Sequence, residues 1–488
     1  MSASADPGYD VVVLGGGYTG LVLSALLGAA GRHVAVLEQE SELGGRARAD
    51  HALGADLIHH PHAVLLGFAD VMPLRHELRS VGLRWAVPVA QHALAFADGR
   101  PAVVLHRRDH LRMTHDSIAA VSRADATLLV EILQRSETLS IAVGRLLVTA
   151  PDLDTVVRHL DAVHAVYSGL PLPSSVEATA IELITTAFVS PEVQSLLLAL
   201  AHEFGGDPFA PGSAIGFLGV VAWQIGRRAV PIGGMGSVVA AIRAVAAHAG
   251  ADLFTDARVV GLIREEGRVA GAVCADGRII SAPSIVSTLG EVATHELAEI
   301  PAEPARTLGT TSVLRQHLVL DAPLRLASER ATTDRAVQTF FGWDEPTEML
   351  DRLAMIGRGA FPAPGGALLR PTIADATQRP REGDLLLVDS TFPGVQTLSG
   401  EEIEGIGRYL SAATWSRLRD YAGGSEPRLL AGHVAPPGRG DRQIRLRPGV
   451  EHYRTSVPGL WRAGAGVHPG GGVHGGSAAI VAGLLSER

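Results

Sequence analysis

An apolar, β-branched run, Tyr9 to Leu14 (YDVVVL), ends in Gly15-x-Gly17-x-x-Gly20 and passes into a helical stretch from Leu21 to Ala30, after which Val34 to Leu37 reads as a second strand closed by Glu38. Strand, glycine turn, helix and acid in that order make a βαβ unit, with its ligand at the carboxyl ends of parallel strands. The glycines let backbone N–H groups approach a pyrophosphate at a helix N-terminus. Glu38, eighteen residues beyond Gly20, can accept hydrogen bonds from a ribose diol. The chain is therefore expected to be an α/β, doubly wound dinucleotide binder, with Tyr18, Thr19 and Gln39 flanking the two contact points.

Composition narrows the chemistry. The chain has 488 residues, of which 47% are hydrophobic, enough for two or three closely connected domains. A formal charge of -9 leaves no basic footprint for nucleic acid. Cys274 is the only cysteine, which excludes an internal disulfide and a redox-active cysteine pair. Lysine and asparagine are absent, so all 42 basic residues are arginine and no Schiff-base or P-loop lysine exists. The first nine residues carry no signal-peptide pattern and no run of eighteen apolar residues follows, so a cytoplasmic protein is expected.

Helical periodicity dominates from about Thr114 to Ile225, with helix starts at Ser136, Ser190 and Pro211. Pro231 to Gly236 (PIGGMG) leads into an Ala-rich helix and then a β section, Asp252 to Thr288, with a hairpin turn at Asp276-Gly277. Strand-like segments mixed with Pro/Gly loops follow, then a helix from Glu401 to Tyr421, a strand from Gly459 to Ala463 and a last helix from Gly476. This predicts a dinucleotide-binding domain in three pieces, 1–90, 231–295 and 431–488. A mainly helical piece, 91–230, and a sheet piece, 296–430, are inserted between them as a substrate domain.

Gly44-Gly45-Arg46 directly after the acid (ELGGRAR) resembles the second diphosphate-contacting element of glutathione reductase–like and amine oxidase–like flavoproteins, which hold FAD in the first dinucleotide site. The C-terminal GLWRAGAGVHPGGGVHGG, Gly459 to Gly476, resembles more narrowly the bacterial phytoene desaturase family of carotenoid desaturases and isomerases. So do His202 to Ala214, PIGGMG, and Asp375 to Pro380. The resemblance implies a Rossmann-like FAD-binding domain with an inserted mixed sheet-and-helix substrate domain. It places Arg46 near the pyrophosphate or flavin and brings the Val259 backbone to the adenine. Gly464, Gly466 and Gly475 lie in the segment that closes over the flavin. The helix from Gly476 would point its positive end at the flavin N1/O2 region, where negative charge develops on reduction.

Departures bear on mechanism. His474 stands where carotenoid desaturases usually carry a non-basic residue, which makes it a candidate acid or base. His468 matches the family's His-Pro. His60, within His59-His60-Pro61-His62, resembles a stretch that approaches the flavin edge, while His202 and Glu203 are secondary candidates on a substrate-domain helix. Adjacent histidines cannot easily converge on one ion, so no metal is expected. The flavin-facing lysine of monoamine oxidases has no counterpart.

The expected activity is an FAD-dependent desaturase or dehydrogenase that moves hydride to flavin N5 from an apolar polyene- or isoprenoid-like substrate. With no second Gly-x-Gly-x-x-Gly after a strand, oxygen or a quinone is the expected electron acceptor. The alternatives are a flavin oxidase of a polar or aromatic secondary metabolite with His474 as acid/base, and a redox-silent double-bond isomerase. A carotenoid-type substrate brings peripheral membrane contact with it, although no basic amphipathic helix marks a docking face.

Overall fold

A computed structural model of the chain describes residues 8–486 apart from 54–56, 58, 68, 206, 302–310, 395–398, 425–426 and 440–448. The strand Val11–Leu14 occupies the centre of a five-stranded parallel sheet, in the order Leu460–Arg462, Ser284–Ser287, Val11–Leu14, Val34–Leu37, Asp252–Phe254. Its apolar run is unbroken because both of its faces are covered. Val11, Val13, Val34 and Val36 pack under the helices Tyr18–Ala29, Gly234–His248 and Gly476–Ser486. Val12, Leu14, Ala35 and Leu37 pack against Val269, Ala272 and Cys274 of a three-stranded antiparallel sheet, Val259–Glu265, Arg268–Cys274 and Ile279–Ser281. The turn between the last two strands is Asp276-Gly277, with Gly277 at φ 86 and Cys274 N–H on the Arg278 carbonyl at 2.9 Å.

A seven-stranded sheet forms the second body, in the order Leu429–Arg439, Thr311–Leu320, Asp384–Pro393, Gly366–Leu369, Gln338–Phe341, Ala90–Leu94, Val103–His106. All its neighbours are antiparallel except Gln338–Phe341 beside Ala90–Leu94. Helices between Leu111 and Trp223 cover one face, where Leu94, Leu105 and Phe340 meet Leu129, Ile184, Leu197 and Phe217. The helix expected from Ser136 runs Glu137–Val148, that from Ser190 runs Pro191–Gly205, and that from Pro211 begins after Gly212 as Ser213–Trp223. The two strands Ala90–Leu94 and Val103–His106 fall at the start of the stretch read as mainly helical. Every residue of both is buried, so the alternation that marks a half-exposed strand is missing.

Candidate active site

The carboxyl ends of Val11–Leu14, Val34–Leu37 and Ser284–Ser287 open on one end of a long cavity of about 650 Å³. Gly44 and Gly45, at φ 117 and φ 53, form a second glycine turn beside the first. Gly44 N–H donates to the Gly16 carbonyl at 2.8 Å. A Cβ added at Gly17 would find Gly45 Cα at 3.8 Å and nothing nearer. Open space between two glycine turns at the start of helix Tyr18–Ala29 is a cradle for a diphosphate. Tyr18, Thr19 and Arg46 line the same end. Glu38 lines it too, its Oε2 accepting from Gly16 N–H at 2.8 Å and its Oε1 from Glu40 N–H at 3.1 Å. Each carboxylate oxygen keeps a lone pair for a ribose hydroxyl.

Three of the expected contact residues lie off the cavity wall. Gly20 packs helix on turn, since a Cβ there would fall 2.0 Å from the Gly15 carbonyl oxygen. Gln39 is exposed and donates to Glu40 at 3.1 Å. Val259 is half-buried in its strand, paired with Cys274.

The chain's last segment completes the groove. Leu460–Arg462 delivers Gly464, whose N–H donates to Ser477 Oγ at 2.9 Å. Gly464, Gly466 and the loop Gly470 to Gly475 line the cavity up to the start of helix Gly476–Ser486. His474 is on this wall, 3% exposed. Its Nδ1 accepts from Gly476 N–H at 2.9 Å and its Nε2 faces the Gly470 and Gly471 carbonyls, both at 3.2 Å. That network puts the single ring proton on Nε2, and burial pushes the pKa down to about 4. Neither His468 nor His60 lines the cavity. His468 is fully buried, with Nε2 2.7 Å from the Leu146 carbonyl. His60 is packed against Gly234, where an added Cβ would lie 1.8 Å from its Nε2.

Beyond the glycine loop the cavity continues as a chamber between the seven-stranded sheet and the helices. Arg315 and Asp389, directly paired on adjacent strands, make a two-point ion pair at 2.6 and 2.5 Å, and a further arm of Arg315 donates to the His62 carbonyl. Phe340, Trp343 and Met349 supply apolar wall. Glu203 accepts from Gln338 Nε2 at 2.7 Å on both oxygens and lies 3.5 Å from Arg228. Gln224, 4% exposed, lines the chamber, and its Oε1 has no partner among the described residues. His202 lines it as well, its pKa pushed down to about 4 by burial and then by the Arg352 charge. Arg315, Asp389, Arg228 and Arg352 were not singled out from sequence. The available signal was a charge inside an apolar strand, as in VLRQHLVL and LLLVDSTF.

A dinucleotide groove built from both ends of the chain and leading into a chamber lined by the second body defines a flavoprotein oxidoreductase. Residues 18–477 match the family described as flavin containing amine oxidoreductase, and the chain belongs to that family, with FAD as its cofactor. It is 25% identical to Pyridine nucleotide-disulfide oxidoreductase domain-containing protein 2 of Mus musculus, over 96% of this chain and 92% of that protein. It is 26% identical to a limonene dehydrogenase component of Castellaniella defragrans, over 86% and 77%. The fold is similar to a solved oxidoreductase from Methanosarcina mazei, with TM-score 0.62 and 17% identity over 98% of this chain and 100% of that one. Among the described residues no helix is long and apolar enough to cross a membrane.

Proposed function

We propose that the chain is an FAD-dependent dehydrogenase or oxidase whose substrate joins a flat apolar or aromatic body to a polar group. FAD supplies the hydride acceptor. The chamber holds the substrate, Phe340 and Trp343 flank its body, and Glu203 takes its donors. Oxygen or a quinone accepts the electrons. The carrying observation is the mixed chamber wall: a pure hydrocarbon would strip water from the Arg228 and Glu203 side chains, 13% and 17% exposed, and return no hydrogen bond. This favours the oxidase of a polar or aromatic metabolite over the polyene desaturase. The desaturase draws its support from the phytoene desaturase–like motifs and from a relative named as part of a limonene dehydrogenase.

In this reading His474 is a positioning residue. With Nδ1 accepting and Nε2 facing two carbonyls, it braces the Gly470 to Gly475 loop. The test is anaerobic bleaching of the FAD-loaded protein by isoprenoid hydrocarbons and by aromatic alcohols, amines and acids. Bleaching by polar aromatics supports the proposal. Bleaching by hydrocarbons alone returns the desaturase, and product formed only after prior reduction, with no acceptor consumed, returns the isomerase. His474→Gln is expected to weaken FAD retention while the pH profile of bleaching stays in place. A lost limb of that profile would restore the acid/base role.

A further inference from the structure

Three guanidinium groups face the chamber, and two have counter-ions. Arg315 is locked to Asp389 at 2.5 Å, and Arg228 lies 3.5 Å from Glu203. Arg352, on helix Pro346–Gly357 and 7% exposed, has no carboxylate at salt-bridge distance among the described residues, and burial lowers its pKa to about 10. It is therefore charged at neutral pH. Its Nη1 donates to the Ala363 carbonyl at 2.6 Å, and its Nη2 to those of Gly365 and Thr391 at 3.2 and 2.9 Å. The guanidinium lies 5.4 Å from the Trp343 ring centroid.

These contacts hold the group in place without neutralising it, because a carbonyl is a dipole and the guanidinium's remaining N–H bonds still need an acceptor. His202 beside it is kept neutral, so it neither adds to nor offsets the charge. The cradle for the FAD diphosphate, with Arg46, is at the other end of the cavity. A buried cation on a cavity wall with no counter-ion is a folding cost that a bound anion relieves.

Resting on the chamber's being the substrate site, we propose that Arg352 anchors a carboxylate, so that the substrate is an aromatic or flat apolar acid with its ring along Trp343. With both Nη2 N–H bonds and one on Nη1 given to carbonyls, Nε–H and the second Nη1 N–H remain to donate to a carboxylate oxygen, and the charge favours an anion over a neutral group of the same shape. The same charge disfavours a simple protonated amine at this end of the chamber.

The probes are 2-naphthoate and 2-naphthamide, equal in shape and different in charge, titrated into the FAD-loaded protein and read by perturbation of the flavin spectrum, without turnover. The unaltered protein is expected to bind the naphthoate at least about tenfold more tightly than the amide. Arg352→Gln should abolish the preference and Arg352→Lys should keep much of it. The comparison in the unaltered protein stands even if a variant folds poorly. If the amide perturbs the flavin and the naphthoate has no advantage, the anchor is overturned and the chamber's role survives. If neither probe perturbs it, the anchor and the substrate-chamber reading fall together.

Discussion

Gly17 and Gly20 belong to one three-glycine pattern and answer to different physics. At Gly20 a methyl group would fall 2.0 Å from the Gly15 carbonyl oxygen. Backbone cannot yield as a side chain can, so Gly20→Ala is expected to cost the apoprotein about 1–3 kcal/mol and to lower its melting temperature without FAD present. At Gly17 the backbone is extended, φ -69 and ψ 176, and the nearest atom to an added Cβ is 3.8 Å away. Gly17→Ala should therefore leave apoprotein melting within about 0.5 kcal/mol of the parent. It should raise the FAD dissociation constant about tenfold or more, because the methyl occupies the diphosphate path. Apoprotein melts paired with FAD titrations separate the two, and equal losses in the apo melts would remove the distinction. Both positions were legible in sequence because adjacent residues build the glycine turn. Arg352 was not, because its meaning lies in having no carboxylate at salt-bridge distance among the described residues.

Among the elements, helix Pro191–Gly205 positions Ala199, His202 and Glu203 on the chamber wall, and its start is held from outside. Asp125, 1% exposed on helix Arg123–Arg135, accepts from Val189 N–H at 3.0 Å and Ser190 N–H at 2.7 Å. Asp125→Ala leaves those donors without their acceptor and should cost about 1–3 kcal/mol. FAD affinity should be unchanged and probe binding in the chamber weakened, as read by denaturant melts and the naphthoate titration. Loss of FAD binding alone would contradict this division of labour.

The same contrast governs how far the elements could be read from sequence. The first βαβ unit and the helix from Gly476 have local signatures: a β-branched run, positive-φ glycines and a small-residue helix. Strands Ala90–Leu94 and Val103–His106 are buried throughout and show no alternation. The chamber draws Glu203, Gln224, Arg315, Arg352 and Asp389 from separate elements, so no spacing in the chain announces it.

Across the whole molecule, neutral buried histidines couple folding to pH. Burial holds His60, His106, His202 and His474 down to about 4 and His92 to about 3. In the unfolded chain each titrates near 6.5. Below that pH the unfolded state binds protons that the folded state refuses. The stability these groups contribute is complete above about 6.5 and is lost as pH falls towards about 4, at up to about 1.4 kcal/mol per pH unit for each histidine. Asp50 and Asp375, lowered from 3.8, lose their contribution only at more acid pH and do not shape this window. Denaturant midpoints are therefore expected to fall steeply between about pH 6.5 and 5, with net uptake of two or more protons on unfolding. His474, on the glycine loop of the FAD groove, and His202, in the chamber, line one cavity, so acid should loosen groove and chamber together. FAD release, followed by the rise in flavin fluorescence, should then track the fall in midpoint. A midpoint flat from pH 7 to 5 would mean that these histidines are charged in the folded protein. FAD lost well above the pH at which stability falls would mean that the groove opens on its own.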